Sequence, residues 1–450
     1  MQHAVTTEVA YGVKTIDFTN FVTSICMIKR MNNTMTTKMT HTEMDIFDWS
    51  KDDVLDDFFK TIMKTQFKPI IYAHIAGTTF PVHKYLYENV REGENFVVYE
   101  SNSFKYTTNG DDYHCFFGKN TGFNLRYGKK LKDDPAFCAL GPEILDLEIS
   151  VNGCIAIPGS TNCRYCYKGN TIKAPTNMTF DTFKEIIKRF PKNLSQIAFG
   201  ITGLTTNPDM EKMFAYCREN GIIPNVTTVG ADLTDEMLNV LCKYCGAVAV
   251  SCYTGAKQHC YDTIKKIKDW AAEKFDRDLH VNMHIVVSKD NMNHVREVLN
   301  DIKDGKVPGL KSVVLLRIKP KGRACHMDCT VNKDIYRELV NFCLNNKISF
   351  GFDSCSATPV MGVLKEIGMD KLCDSAEPCE SGLFSSYINV KGQYWNCSFA
   401  EGLTNFIQPI NVLDYEYVTD WWNGPELDKV RRNERPACKS CPIYNLDGEE

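Results

Sequence analysis

Hydrophobic and polar positions change rhythm along this chain. From about residue 145, short apolar runs rich in β-branched residues alternate with longer stretches of helical period. The runs LDLEISVN (145–152), QIAFGI (196–201), PNVTTV (224–229), AVAVSCY (247–253), LHVNMHIVVS (279–288) and SVVLLRI (312–318) predict six strands. Between them, NPDMEKMFAYCRENG predicts a helix capped by Asn207, with Pro208 in its first turn and Gly221 at its exit. LTDEMLNVLCKYCG predicts another, with Thr234 as cap and Gly246 as stop. Strand and helix alternating at this spacing imply an α/β fold of right-handed parallel βα units, closed as a barrel or left as an open sheet. Such folds carry their chemistry where strands end and the next loops begin.

The flanks read differently. Residues 1–142 hold a polar, Met- and Thr-rich opening, a predicted helix around KDDVLDDFFKTIMKTQF, and the hairpin-like text NFVVYESNSFKYTTNGDDYHCFFGKNTGF. Asn109-Gly110 there is a two-residue turn signal. This predicts a small N-terminal α+β appendage with its boundary near Pro142 and no catalytic motif. From about residue 350 the alternation lapses into a Cys-, Gly- and aromatic-rich tail, leaving 143–350 as a core and 351–450 as a third unit.

Composition narrows the functional classes. The 450 residues are 43% hydrophobic and 24% charged, as in a chain with well-filled cores. A net charge of −4, with the signs interspersed, argues against nucleic acid or an anionic membrane as partner. The opening MQHAVTTEVAYGVKTIDF lacks the basic-then-apolar layout of a signal peptide, and no apolar run reaches the roughly 20 residues that span a bilayer. The expectation is a cytoplasmic protein, in which N-x-S/T triplets such as that at Asn177 are chance matches. Twenty cysteines in a reducing compartment then point to metal or redox chemistry rather than disulfides.

The first cysteine group is NGCIAIPGSTNCRYCYKGN (152–170), which sets Cys154, Cys163 and Cys166 directly after the first strand. Three thiols on one loop can hold a metal ion or three corners of a cubane iron–sulfur cluster, with one coordination position left for something other than protein. A three-thiol zinc site and unrelated buried cysteines are the alternatives, although a polar Gly/Pro/Asn loop offers no core in which to bury them. The sequence here resembles the radical S-adenosylmethionine superfamily. The pair Cys-x-aromatic-Cys is matched by CRYC, and GPEILDLEISVNGC, AFGITGLTTNPDMEKMFAYCRENGIIPNVTTVG and GAVAVSCY follow in the expected order within residues 143–350.

The resemblance implies a partial (βα)6 TIM-type barrel and a 4Fe-4S cluster on Cys154, Cys163 and Cys166. It also implies S-adenosylmethionine on the open iron, cleaved reductively to a radical that abstracts hydrogen from a substrate C–H. Contacts to S-adenosylmethionine are expected from Tyr165, Gly200, Thr202, Gly203 and Ser251. Two features depart from the family pattern. Eight residues separate Cys154 from Cys163 where three are usual, and GITG stands where Gly-Gly-Glu-Pro is common, so only the backbone part of that contact carries over.

In the tail, Cys379, Gly392 and Cys397 in EPCESGLFSSYINVKGQYWNCSFAEG are followed by Cys438 and Cys441 in ACKSCPIY. Four thiols can close a complete zinc site or a cubane cluster and staple a tail that lacks a core. The pattern resembles the SPASM/twitch extension and implies a second, auxiliary 4Fe-4S cluster on these four, with Cys373 or Cys355 able to replace one. CKYC (242–245) reads as helix-core cysteine, and Cys325, His326 and Cys329 lie at the mouth after the sixth strand. The expected function is a radical S-adenosylmethionine oxidoreductase or maturase. Its substrate is a peptide, protein or small metabolite, and its electron donor a flavodoxin or ferredoxin. The alternative is a zinc-stapled binding protein that uses both cysteine groups structurally.

Overall fold

Parallel strands buried on both faces need apolar side chains toward the helices, and the six runs supply them at alternate positions. The computed structural model describes residues 82–431 except 111, 131–132, 158–162, 377–378 and 404–406, together with residue 441. The predicted helix at 51–67 lies outside the described residues. The described residues up to Leu140 fall into one compact unit and those from Gly141 into another.

The first unit is an antiparallel meander of five strands in sequence order: β1 (His83–Arg91), β2 (Glu94–Glu100), β3 (Phe104–Asn109), β4 (Tyr113–Gly118) and β5 (Asn124–Tyr127). Phe104, Tyr106 and Phe116 pack together in its core. The turn after β3 is not the two-residue Asn-Gly type. Asn109 is still paired with Tyr113, which leaves more than two residues between the strands, and Gly110 takes a left-handed position at φ 52°.

The second unit is built on a ten-stranded sheet, ordered β14-β13-β12-β11-β10-β9-β6-β15-β16-β17. The predicted strands appear as β6 (Ile144–Glu148), β9 (Gln196–Gly200), β10 (Ile223–Thr228), β11 (Ala247–Ser251), β12 (His280–Val287) and β13 (Ser312–Arg317). All pair in parallel, and β14 (Phe350–Phe352) extends the series by one. LDLEISVN is broken at Ile149, whose N–H bonds Gly200 and whose carbonyl receives Met178. The short β7 (Ser150–Val151) turns away to pair with β8 (Thr176–Asn177).

The helices are α1 (Phe180–Lys188), α2 (Met210–Glu219), α3 (Asp235–Tyr244), α4 (Lys257–Phe275), α5 (Met292–Lys303), α6 (Lys333–Asn345) and α7 (Ala357–Glu366). Their apolar sides share one core with Leu145, Leu147, Ile197, Phe199, Val248, Val250, Val281 and Met283. Strand alternation therefore turns Asp146, Glu148, Gly200, Thr227, Ser251 and His284 to the other face.

Thr234 caps α3 by accepting from Met237 N–H, as the sequence predicts. Asn207 does not cap α2, which starts at Met210. Its buried amide instead donates to the carbonyls of Ile149 and Met178, and Pro208 falls in the preceding turn. The tail adds β15 (Ser385–Ile388), parallel to β6, then antiparallel β16 (Gln393–Trp395) and β17 (Ile410–Asn411). It ends in α8 (Val418–Trp422) and α9 (Pro425–Arg431), where Trp422 is fully buried and Tyr394 lies 4.4 Å from Trp421.

Candidate functional site

The first cysteine loop leaves the end of β7 through two left-handed residues, Asn152 (φ 60°) and Gly153 (φ 65°). A Cβ on Gly153 would come within 2.8 Å of Pro175, so the turn needs glycine. The base of the loop is laced shut. Gly153 N–H bonds Lys173 O at 2.7 Å, Cys154 N–H bonds Thr171 O at 3.0 Å, and Asn152 Oδ1 accepts from Thr171 N–H at 3.0 Å. The Cys163-to-Gly169 stretch is a pair of turns, closed by Cys166 N–H to Cys163 O and Gly169 N–H to Cys166 O.

Cys154, Cys163 and Cys166 are all half-buried. Burial pushes the Cys154 thiol up, the charges of Cys166 and Cys163 push it further, and the Arg323 guanidinium pulls it back. Burial likewise raises Cys163, against the neighbouring Tyr253 hydroxyl, which pulls it back. The three thiols are therefore electrostatic neighbours. Among the described residues, no group of three or more His, Cys, Asp or Glu side chains closes into a ligand shell. Three soft donors on one strand-end loop, beside a cation, are a set that fits an iron–sulfur cluster or zinc.

The residues expected to contact S-adenosylmethionine gather at the same strand ends. Gly200 closes β9, where a Cβ would stand 3.0 Å from the Glu148 backbone. Thr202 donates its hydroxyl to Asn152 O at 2.6 Å and accepts Ile155 N–H at 3.3 Å, which lays the 200–203 segment beside Cys154. Gly203 is equally tight, 2.7 Å from Ile155 for an added Cβ. Tyr165 packs on the core, with the Arg164 guanidinium 5.7 Å from its ring. Ser251 ends β11 beside His284, and burial raises the Tyr253 hydroxyl well above its ordinary value, with the charge of Cys163 adding to it. Burial lowers the His284 imidazole to about 4, and Thr227 Oγ1 lies 3.5 Å from its Nδ1.

The second group is partly assembled. Ser381 donates to Asn396 O at 2.6 Å, which ties the turn after Cys379 to the residue before Cys397. Burial pushes Cys397 up to about 11, and the charge of Cys441 adds to it. Of the two spare cysteines, Cys355 is the neighbour: burial pushes its thiol to about 12, and it senses both Cys397 and Cys441. Cys373 instead points to Met361 O at 3.6 Å. Cys438 lies outside the described residues. CKYC is buried core, Cys242 raised to about 11 and Cys245 to about 12 by burial, whereas Cys325 is exposed.

Sequence reasoning missed the groups that join the two loops. Lys168, two residues after Cys166, bonds Glu148 at 2.8 Å, Tyr387 OH at 2.8 Å and Glu401. The Tyr167 ring lies 4.5 Å from that of Phe399. Their only sequence signal was closeness to a cysteine, because Tyr387, Phe399 and Glu401 lie more than 200 residues along the chain.

No curated protein sequence matches the chain. SuiB of Streptococcus suis bound to precursor peptide SuiA is similar in structure, with a TM-score of 0.54 at 11% identity, over 74% of this chain and 90% of that one. SuiB bound to S-adenosylmethionine has a TM-score of 0.48 at 13% identity, over 67% and 71%. The protein anSMEcpe with bound AdoMet and Cp18Cys peptide has a TM-score of 0.45 at 16% identity, over 66% and 86%. At these identities the likeness concerns the fold. Residues 159–302, from the first cysteine loop to α5, match the model of the Radical SAM superfamily, and the chain thus carries a Radical SAM domain.

Proposed function

We propose that this chain is a radical S-adenosylmethionine enzyme that oxidatively modifies a peptide or protein. The observation that carries the reading is the placement of Cys154, Cys163 and Cys166 on one loop at a parallel strand end, in a chain whose residues 159–302 match that superfamily. Residues 143–350 form the core, a partial (βα)6 barrel, and 351–450 form the SPASM/twitch-type extension. Cys154, Cys163 and Cys166 hold a 4Fe-4S cluster, and Tyr165, Gly200, Thr202, Gly203 and Ser251 bind S-adenosylmethionine. When bound, this pair supplies one-electron reductive cleavage of the sulfonium, and with it a carbon radical that takes hydrogen from an unactivated C–H.

The chain's own residues orient and seal. The lacing of Gly153, Cys154 and Asn152 to residues 171–173 fixes the base of the thiol loop, and Arg323 holds Cys163 by its backbone carbonyl. The tight 200–203 segment presents backbone groups beside Cys154. Cys379, Cys397, Cys438 and Cys441 would hold a second 4Fe-4S cluster, and the chemistry it would supply there is one-electron redox. A flavodoxin or ferredoxin serves as donor. The precursor peptide bound by SuiB supports a peptide substrate.

Anaerobic reconstitution tests this. Brown protein with about eight irons per chain is expected, releasing methionine and 5'-deoxyadenosine when reduced with S-adenosylmethionine, as measured by mass spectrometry. Changing Cys154, Cys163 and Cys166 together to Ala leaves about half the iron and no cleavage. A colourless zinc protein, or cleavage that survives the triple change, refutes the assignment.

A further inference from the structure

The segment Lys321-Gly322-Arg323, just past β13, sits between the two cysteine loops and grips both. Lys321 donates to the carbonyls of Ser398, Phe399 and Glu401 at 3.3, 2.8 and 2.6 Å, which spends all three of its N–H bonds on the loop after Cys397. Gly322 is pressed against the other loop. At φ 60°, a Cβ there would stand 2.3 Å from Cys166 O and 2.4 Å from Tyr167 O. Arg323 completes the grip. Its backbone N–H bonds Cys166 O at 2.9 Å, its Nε bonds Cys163 O at 2.8 Å, and both Nη atoms bond Asn170 O at 2.8 Å.

All of these acceptors are neutral. Lys168 nearby is matched by Glu148 and Glu401, but among the described residues no carboxylate pairs with Arg323. Its positive charge is left beside the thiols. A fixed cation favours whichever state of a neighbouring centre carries more negative charge, which for an iron–sulfur centre is the reduced one.

We propose that Arg323 is a positioning residue for the first cysteine site: it pins the Cys163–Asn170 loop by its backbone carbonyls and places an uncompensated cation that raises the reduction potential of the centre held there. The inference rests on reading Cys154, Cys163 and Cys166 as an iron–sulfur site. Lys321 and Gly322 hold the arginine's backbone so that the guanidinium has one place to go.

The test uses full-length protein reconstituted anaerobically, with Arg323→Gln and Arg323→Lys. The electron paramagnetic resonance signal that changes on adding S-adenosylmethionine identifies the first site, and its amplitude is followed through a reductive titration. Arg323→Gln shifts the equilibrium toward the oxidised form by at least about tenfold, or about 59 mV for one electron. Arg323→Lys keeps the charge and stays within about threefold of the natural protein. An unchanged potential in Arg323→Gln overturns the proposal, as does an equal displacement in both variants. If Arg323→Gln retains no centre, Arg323→Lys decides: within about threefold supports the proposal and tenfold or more overturns it. Natural protein with no signal responsive to S-adenosylmethionine overturns the iron–sulfur reading as well, an outcome distinct from an unresponsive Arg323.

Discussion

Asp353, directly after β14, offers a quantitative test of how the second unit is held together. The residue is fully buried, and its carboxylate accepts from Arg317 N–H at 3.0 Å, from Ser356 Oγ at 2.6 Å and from the Lys319 ammonium. Lys319 is only 5% exposed; it also donates to Arg317 O at 2.7 Å and lies 5.1 Å from the Phe399 ring. Asp353→Asn keeps the shape and takes a buried negative charge away from the Lys319 ammonium. One-sided removal of a buried ion pair costs about 3–5 kcal/mol, whereas replacing both partners by apolar groups of similar volume costs far less. Asp353→Asn is therefore expected to lose about 3–5 kcal/mol, and Asp353→Leu/Lys319→Met to lose less than the sum of its single changes by about 2 kcal/mol or more. Urea unfolding followed by tryptophan emission suits the measurement, because the described tryptophans, Trp270, Trp395, Trp421 and Trp422, all lie in the second unit. A loss under about 1 kcal/mol for Asp353→Asn, or strict additivity in the double variant, refutes the reasoning.

Three further outcomes are expected. Burial holds His284 at about 4 against an ordinary 6.5, so the unfolded chain binds its proton first. The stability this contributes is present above pH 6.5 and lost as pH falls toward 4, by up to about 3 kcal/mol; urea midpoints of His284→Gln should show a flatter slope in that window, and parallel slopes refute it. Trp422→Ala empties the tail core under the Arg431 guanidinium, 4.6 Å from its ring, and is expected to cost about 3–5 kcal/mol by the same unfolding assay. Brief iodoacetamide treatment of native protein near pH 7.5 should label exposed Cys325 and spare Cys242 and Cys245, whose thiols burial raises to about 11 and 12; mass spectrometry finding the CKYC pair labelled first would contradict the buried-core assignment.

Local patterns were the legible part. The six parallel strands end within two residues of the sequence reading, apart from the LDLEISVN run, because alternating Val, Ile and Leu can sit only one way between helices and the opposite face. Errors arose where a side chain answered a distant group. Asn207 looked like a helix cap but is taken by Ile149 and Met178, and LDLEISVN looked continuous until Ile149 is seen bonding Gly200. Ser251 could be placed on a strand but not on a face, until Val248 and Val250 in the helix-side core fixed the alternation. Lys168, Arg323, Tyr253 and Glu401 carry no motif, since their partners come from other loops.

The same physics sorts the cysteines, which the sequence offers as twenty equivalents. Cys217, Cys242, Cys245 and Cys343 are buried on helices or at a helix end, where a thiol behaves as a small apolar group. Cys154, Cys163, Cys166, Cys329, Cys355, Cys379, Cys397 and Cys441 are only half-buried and stand in loops or a short 3-10 turn, Cys329 and Cys397 packing on the edge of the core and the others outside it. Packing explains the first set without chemistry and accounts for the second only in part. This division adds Cys355 to the tail group on grounds that spacing could not supply, because it comes from the end of β14 while Cys397 follows β16. If the tail holds a metal centre, Cys355→Ala should lower the iron retained there as much as Cys397→Ala does. Full retention in Cys355→Ala would reduce its nearness to Cys397 and Cys441 to packing.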